Sequence, residues 1–216
     1  IDRQTVMELC EAFFALSPPT RLRLRDETLT GTLAALTSGQ ADLALGVVAE
    51  GTNVGGIHHD TLGPMGFVFA VAPHHPLAQA EQPLSDETIR QHRAVAVADS
   101  VQRGQGMTVG LLAGQDVFTV SSMGAKLEAQ LRGLGAGFLP EPLAEPFLST
   151  GRLVRRNVQR PRRVSTVSYA WRQGPGEDTA GRALKWWLQQ LKSPTTRAAL
   201  LSQARRKRTK GVESWP

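Results

Sequence analysis

The chain has 216 residues, 41% of them apolar and 20% charged, with a formal net charge of +6. That length can bury a sizeable core and holds one domain or two small ones, and no run approaches the roughly 18–20 apolar residues of a membrane-spanning helix. No export signal opens the chain, and a single cysteine, Cys10, makes no internal disulfide and fits a reducing cytoplasm.

The charge is unevenly placed. Residues 193–216 hold Arg197, Arg205, Arg206, Lys207, Arg208 and Lys210 against Glu213, so +5 of the +6 lies there. Such a tail attracts polyanions, but as a terminus it is expected to be solvated and poorly ordered. Because Ile1 leads almost at once into a helical pattern, the chain is expected to be a fragment whose N-terminal part is missing.

Residues 2–16 read as an amphipathic helix capped by Asp2, with Val6, Leu9, Phe13 and Leu16 on one side and Pro18 and Pro19 ending it. Arg21 to Arg25 alternates arginine with Leu22 and Leu24, the pattern of a half-buried strand. Leu29, Leu33 and Leu36 recur at helical spacing, and Gly39 stops that helix. The apolar run Ala41 to Val48, interrupted only by Asp42, suits a parallel strand covered on both faces, which would complete a βαβ unit.

After the glycine-rich stretch 50–56, strands are expected near Ile57–Leu62 and Phe67–Val71, followed by the phrase APHHPLA at 72–78. Ser85 with Asp86 and Glu87 marks a helix start. Ala94–Ala98 and Val117–Val120 read as strands, the first ending in Asp99-Ser100. Ser121 or Ser122 caps a helix carrying Met123, Leu127, Leu131 and Leu134, an ordinary core stripe in part available to a dimer interface. GLGAGFLP, 133–140, gives a helix end, a short strand and a proline. A helix at 142–149, a strand at Leu153–Arg155, an arginine-rich surface crossing at 155–163 and a strand at Val164–Trp171 follow. The last helix, Asp178 to Leu191, carries Ala180, Leu184, Trp187 and Leu191 on one face, with Pro194 marking its end.

Motifs of chemistry are missing. The glycines of 133–137 follow a helix and precede a strand, the reverse of a dinucleotide loop. No GxxxxGK[ST], HExxH or GxSxG is present. His58-His59-Asp60 and His74-His75 are adjacent residues that point to opposite faces of a strand, so neither pair chelates a metal from its own element. Cys10 has no sequence-near partner that would activate a thiol, and Trp186-Trp187 divides between core and surface.

Four phrases now stand in order. Gly31, Leu36, Gly39 and Asp42 are followed by Leu-Ala-Leu-Gly, then come the HHPLA of 74–78 and GLGAGFLP. In this spacing the chain resembles the regulatory domain of LysR-type transcriptional regulators over residues 1–191. The resemblance implies an α/β fold of two Rossmann-like subdomains joined by two crossovers, like type II periplasmic binding proteins, lacking the first strand. Subdomain I is expected at 1–71 plus 164–191, subdomain II at 72–163, and the basic tail at 192–216. In open α/β sheets ligands sit beyond the carboxyl ends of strands, and two such subdomains make a closing cleft.

The resemblance also implies the site and the partners. Carried onto this chain, the effector contacts are Asp2, Arg3, Thr28, Leu29, Thr30, Gly46, Val47, Asp99, Ser100 and Ser121. Hydroxyls and helix-terminal N–H groups suit a small anion, whereas Asp99 selects a cationic or hydroxylated group; capping alone accounts for Asp2 and Ser121. No catalytic residue, metal or cofactor is expected. Implied partners are a small-molecule effector, a second copy in a homodimer or tetramer, and DNA only through an N-terminal helix-turn-helix outside this chain, without a membrane. The dimer is expected to set helix 2–16 against helix 122–132 of the other copy. The alternative reading is a solute-binding protein of a transport system; an enzyme on the same scaffold has no motif in its favour.

Overall fold

The computed structural model describes residues 1–16, 19–48, 55–101, 110–172 and 181–202. In the first part of the chain lie α1 (Arg3–Ala15), α2 (Thr30–Thr37), β1 (Leu43–Val48) and β2 (Ile57–Val71). A 3-10 turn (Pro76–Ala78) leads to α3 (Asp86–Arg90), β3 (Ala94–Val97), β4 (Val117–Val120) and α4 (Met123–Leu131). Then come β5 (Gly137–Pro140), α5 (Glu141–Leu148), β6 (Val154–Arg156), β7 (Val164–Arg172), α6 (Arg182–Lys192) and α7 (Pro194–Leu201).

β2 joins the two halves. From Ile57 to Gly66 it pairs antiparallel with β7, on whose far side lies β1. From Phe67 onward its partners are β5 on one edge and β6 on the other. The two strands expected at 57–62 and 67–71 are therefore one, with a register shift between Thr61 and Gly63. β3 and β4 are parallel, and a bridge from Ala94 to Ala136 ties β3 to the start of β5.

Each half has its own core, so the α/β architecture of two subdomains is present. Leu62, Met65, Val167, Tyr169, Leu191 and Leu200 form one apolar cluster between β2, β7 and the C-terminal helices. Cys10 and Phe13 of α1 pack on Trp187 beside it. In the second half, alternate residues of β2 face opposite ways: Phe69 and Val71 meet Leu77, Leu84 and Ile89, while Val68 and Ala70 meet Leu127, Leu139 and Ala144. That alternation is the period of two of a strand covered on both faces.

Several expectations need correction. Arg21 to Arg25 is in no ladder, because among the described residues no strand lies alongside it; Arg25 instead binds Gln40 and Glu27 through its side chain. The expected βαβ unit is therefore not formed, and β1 runs antiparallel to β7 on the sheet edge rather than parallel in its interior. Leu29 lies outside α2 and is 37% exposed, and Leu134 lies beyond α4 and is 45% exposed. Cys10 lies in the aromatic cluster with Phe13 and Trp187, and burial pushes its thiol pKa up. Ser122, not Ser121, caps α4, accepting from the Ala125 N–H at 3.1 Å.

The tail expectation also changes. α6 ends at Lys192, just before Pro194 as expected, but the chain does not turn to open coil there: Pro194 occupies the first turn of a further helix, α7, where its missing N–H costs nothing. Leu200 of α7 is fully buried, and Arg197 gives NH2 to Asp60 at 2.8 Å and Nε to the Leu191 carbonyl at 2.6 Å. Pro18, most of the glycine-rich stretch 50–56, the helix start at 178–180 and the cations of 205–210 lie outside the described residues.

Candidate functional site

The segment entering α2 meets the segment leaving β3. β3 and β4 run parallel with Val97 opposite Val120, and this register carries Asp99, Ser100 and Ser121 to one edge of the second subdomain. Against that edge lies 27–31 of the first. Thr28 donates its hydroxyl to the Ala98 carbonyl at 2.6 Å and its N–H to Ser100 Oγ at 3.0 Å. Ser100 Oγ lies 2.7 Å from Glu27 Oε2, to which it donates. Thr30 donates its hydroxyl to Asp99 Oδ2 at 2.6 Å. Among the described residues, Glu27, Thr28 and Thr30 thus bond across the subdomains to Ala98, Asp99 and Ser100.

Local backbone explains the close fit. Gly31, buried in the first turn of α2, has no Cβ; one built there would sit 1.8 Å from Ser100 Oγ. Leu29 takes φ 51° and ψ −120°, a region that L side chains rarely occupy. Such strain persists where the surrounding bonds over-determine the backbone, and it concentrates at binding sites. The bonds of Thr28 and Thr30, on either side of Leu29, do this here.

The other expected residues are placed differently. Asp2 caps α1, its carboxylate taking both the N–H and the hydroxyl of Thr5, while its own N–H donates to Leu200 of α7. Arg3 reaches the bridging segment only through an exposed ion pair with Asp26, 2.7 Å long. Gly46, at φ 92°, forms the bulge of β1 and faces Ile1. Val47 is buried among Leu36, Ala44 and Ala170. Ser121 is exposed at the β4 end. The structure brings Thr28, Leu29, Thr30, Asp99 and Ser100 together, while the contacts described for Asp2, Gly46 and Val47 are with other residues.

Glu27, Gly31 and the Ala98 carbonyl complete the bridge and were not anticipated as contacts. Gly31 was visible as part of a phrase; Glu27 was visible only as the residue before Thr28. Glu27 and Asp99 bring two carboxylates to the bridge, of which Glu27 is already paired with Arg25 at 2.6 Å.

Histidines and other polar groups are engaged structurally. His58 stacks on Trp171 with ring centroids 5.6 Å apart. His75 Nδ1 accepts from the Leu77 N–H, and burial, with His92 and His74 nearby, lowers its pKa. Among the described residues no group of three or more His, Cys, Asp or Glu side chains is placed to hold a metal ion, and no helix is long and apolar enough to cross a membrane.

Comparison with known proteins gives the family and the fold. Residues 1–193 match the family model of the LysR substrate binding domain. The chain is 39% identical over 183 residues to an Escherichia coli K12 protein named as an uncharacterized HTH-type transcriptional regulator, YeeY, covering 85% of this chain and 58% of that protein. It is 33% identical over 174 residues to the probable HTH-type transcriptional regulator YhaJ of the same organism, covering 80% and 56%. The chain therefore spans somewhat over half the length of these curated relatives.

Among solved structures, the regulatory domain of MetR, a LysR family regulator from Neisseria meningitidis, superposes with TM-score 0.63 at 20% identity, covering 91% of this chain and 88% of that one. Full-length LysG from Corynebacterium glutamicum, solved with its effector Arg bound, gives TM-score 0.57 at 21% identity, covering 88% and 61%. At these identities the likeness carries the fold, and it is the two-subdomain fold described above. With a family match running through α6 and a relative 39% identical over most of this chain, the chain belongs to the LysR substrate-binding domain family.

Proposed function

We propose that this domain takes a small-molecule effector between its subdomains, at the bridge of Thr28, Leu29 and Thr30 with Asp99 and Ser100, and performs no chemistry on it. The observation that carries the reading is the bridge itself: hydroxyls and carboxylates of two subdomains meet through four hydrogen bonds no longer than 3.0 Å. A ligand that replaces or extends those bonds changes how the halves sit, and a ligand shifts an equilibrium only through such differential contacts. The Asp99 carboxylate favours an effector with a cationic or hydroxyl group. Arg3 and Ser121 border the site; Asp2, Gly46 and Val47 serve the scaffold.

The wider reading follows the family. The subdomains comprise residues 1–71 with 164–191 and residues 72–163, with α7 docked on the first. The whole regulator works in the cytoplasm as a homodimer or tetramer and reaches DNA through a helix-turn-helix outside this chain. A transport solute-binding protein is the weaker reading, since the relatives named above are transcriptional regulators. Native mass spectrometry of the chain with a bacterial metabolite pool tests the proposal. It expects capture of an unmodified small molecule whose affinity falls about 3- to 10-fold in Ser100→Ala, the worth of one hydrogen bond. Capture of a converted product, or equal affinity in the variant, contradicts it.

A further inference from the structure

A cavity of about 420 Å³ opens at the second chain crossing, lined in part by Gly110, Phe138, Arg160, Arg162, Arg163 and Val164. Its volume falls within the roughly 300–1,000 Å³ of small-molecule sites. No residue of the bridge lines it. The wall is cationic beyond what its local acids neutralise. Arg160 gives Nε to Asp86 at 2.6 Å and NH1 to the Gly110 carbonyl at 3.3 Å, while its NH2 is buried without a partner. Arg162 binds Glu141 at 2.9 Å, a carboxylate already shared with Arg155. Arg163 lies over the Phe67 ring, 5.4 Å from its centroid, and among the described residues pairs with no carboxylate.

A buried lysine nearby reports the same imbalance. Lys126 of α4 is 7% exposed and, among the described residues, has no hydrogen-bond or ion-pair partner. Its ammonium sits 3.3 Å from where a Gly137 Cβ would be, one residue before Phe138 of the cavity wall. Burial, and then repulsion from Arg163, lowers its pKa to about 8. Among the described residues no carboxylate pairs with Lys126 or Arg163, and guanidinium forks are matched to planar or tetrahedral oxyanions.

We propose that the cavity at the second crossing is a further ligand site, for a small polyanion presenting two or more carboxylate or phosphoryl oxygens to Arg160 NH2 and the Arg163 guanidinium. The ligand bridges the crossing: Phe138 belongs to β5 of one subdomain and Val164 begins β7 of the other. The anion therefore acts on the hinge rather than on the bridge, and the site stands whether or not an effector binds there.

Isothermal calorimetry on the full chain at low ionic strength, where charge interactions are least screened, tests this with two probes. Citrate represents the carboxylates and inorganic phosphate the phosphoryl oxygens. The expected result is saturable one-to-one binding of at least one probe, weakened tenfold or more by Arg163→Gln and unchanged by Ser100→Ala. Arg160→Gln, checked for folding by thermal unfolding without probe, is expected to weaken it similarly; if that variant unfolds, Arg163→Gln decides alone. Failure of both probes to bind, or equal affinity in Arg163→Gln, as attraction to the basic residues of 205–210 would give, overturns the proposal.

Discussion

Ser100 approaches Gly31 so closely that a Cβ on Gly31 would lie 1.8 Å from Ser100 Oγ and 3.0 Å from its Cβ. The two residues belong to different subdomains, so the missing methyl of one sets the spacing of both. Alanine normally gains about 1 kcal/mol over glycine inside a helix. Here Gly31→Ala is expected instead to cost about 1–3 kcal/mol, since overpacking forces the neighbours apart and separates Ser100 from Glu27 and Thr28. Ser100→Gly in the same chain recovers most of the packing part of that loss, a coupling that contacting residues show. Urea unfolding of the two single variants and the double variant measures it; additive losses contradict the contact.

Lys126 makes stability depend on alkaline pH. Its pKa is about 8 in the folded chain against an ordinary 10.5. Below pH 8 both states hold the proton and the cost of burying the charge is fully present. Between about 8 and 10.5 the folded chain releases the proton first, so the unfolded state binds more protons and stability rises with pH. Lys126→Met, which keeps the length of the side chain, is therefore expected to add about 1–3 kcal/mol at pH 7 and much less at pH 10.5. Unfolding at both pH values checks the sign; an equal gain at the two contradicts it.

Docking of α7 is tested through Leu200 and Arg197. Leu200 is 0% exposed, and Leu200→Ala is expected to cost about 2–5 kcal/mol. Arg197→Met costs less, up to about 1 kcal/mol, because Asp60 and Arg197 are both partly in water. Burial acts to raise the Asp60 pKa, but the Tyr169 hydroxyl, the Thr61 N–H and Arg197 outweigh it and lower the net value. The stabilisation is present above the unfolded pKa near 3.8 and is lost as pH falls through the lower folded value. The Arg197→Met deficit should accordingly shrink in strong acid, leaving only the part owed to the Leu191 carbonyl bond, and be larger at pH 7.

Periodicity located α1 and α4 because each buries one stripe, the Ser85 cap with Asp86 and Glu87 located α3, and short apolar runs located β3 and β4. It failed where pairing decides. Alternation at Arg21–Arg25 says that the chain is extended but not whether a strand lies beside it, and the run Ala41–Val48 does not reveal that its neighbour β7 comes from 120 residues later and runs antiparallel. Pro194 is ambiguous by chemistry, since proline both ends helices and begins them. At the site, family phrases located Thr28–Thr30 and Asp99–Ser100, yet no local pattern marks the bond between Ser100 and Glu27, 73 residues apart. Lys126 was hidden because a lysine on an amphipathic helix reads as solvent-facing until the fold buries it.

Apolar side chains left in water on α1 bear on assembly. Met7 and Phe14, seven residues apart and so on one face, are 46% and 52% exposed, and Phe118 of β4 is 40% exposed. Covering them is the favourable term for a second copy. Met7→Glu combined with Phe14→Glu is expected to convert the proposed dimer to monomer in sedimentation equilibrium without lowering the thermal midpoint of the monomer. A dimer that survives both charges places the interface elsewhere.

Amide hydrogen exchange with the effector captured from the metabolite pool tests the central claim most directly. The Thr28 N–H donates to Ser100 Oγ across the subdomains, so a ligand seated there alters exchange in both segments at once. The account predicts slowed exchange in peptides covering 27–31 and 98–101 together, with 158–164 unchanged. Protection confined to 158–164, or to one subdomain alone, contradicts it.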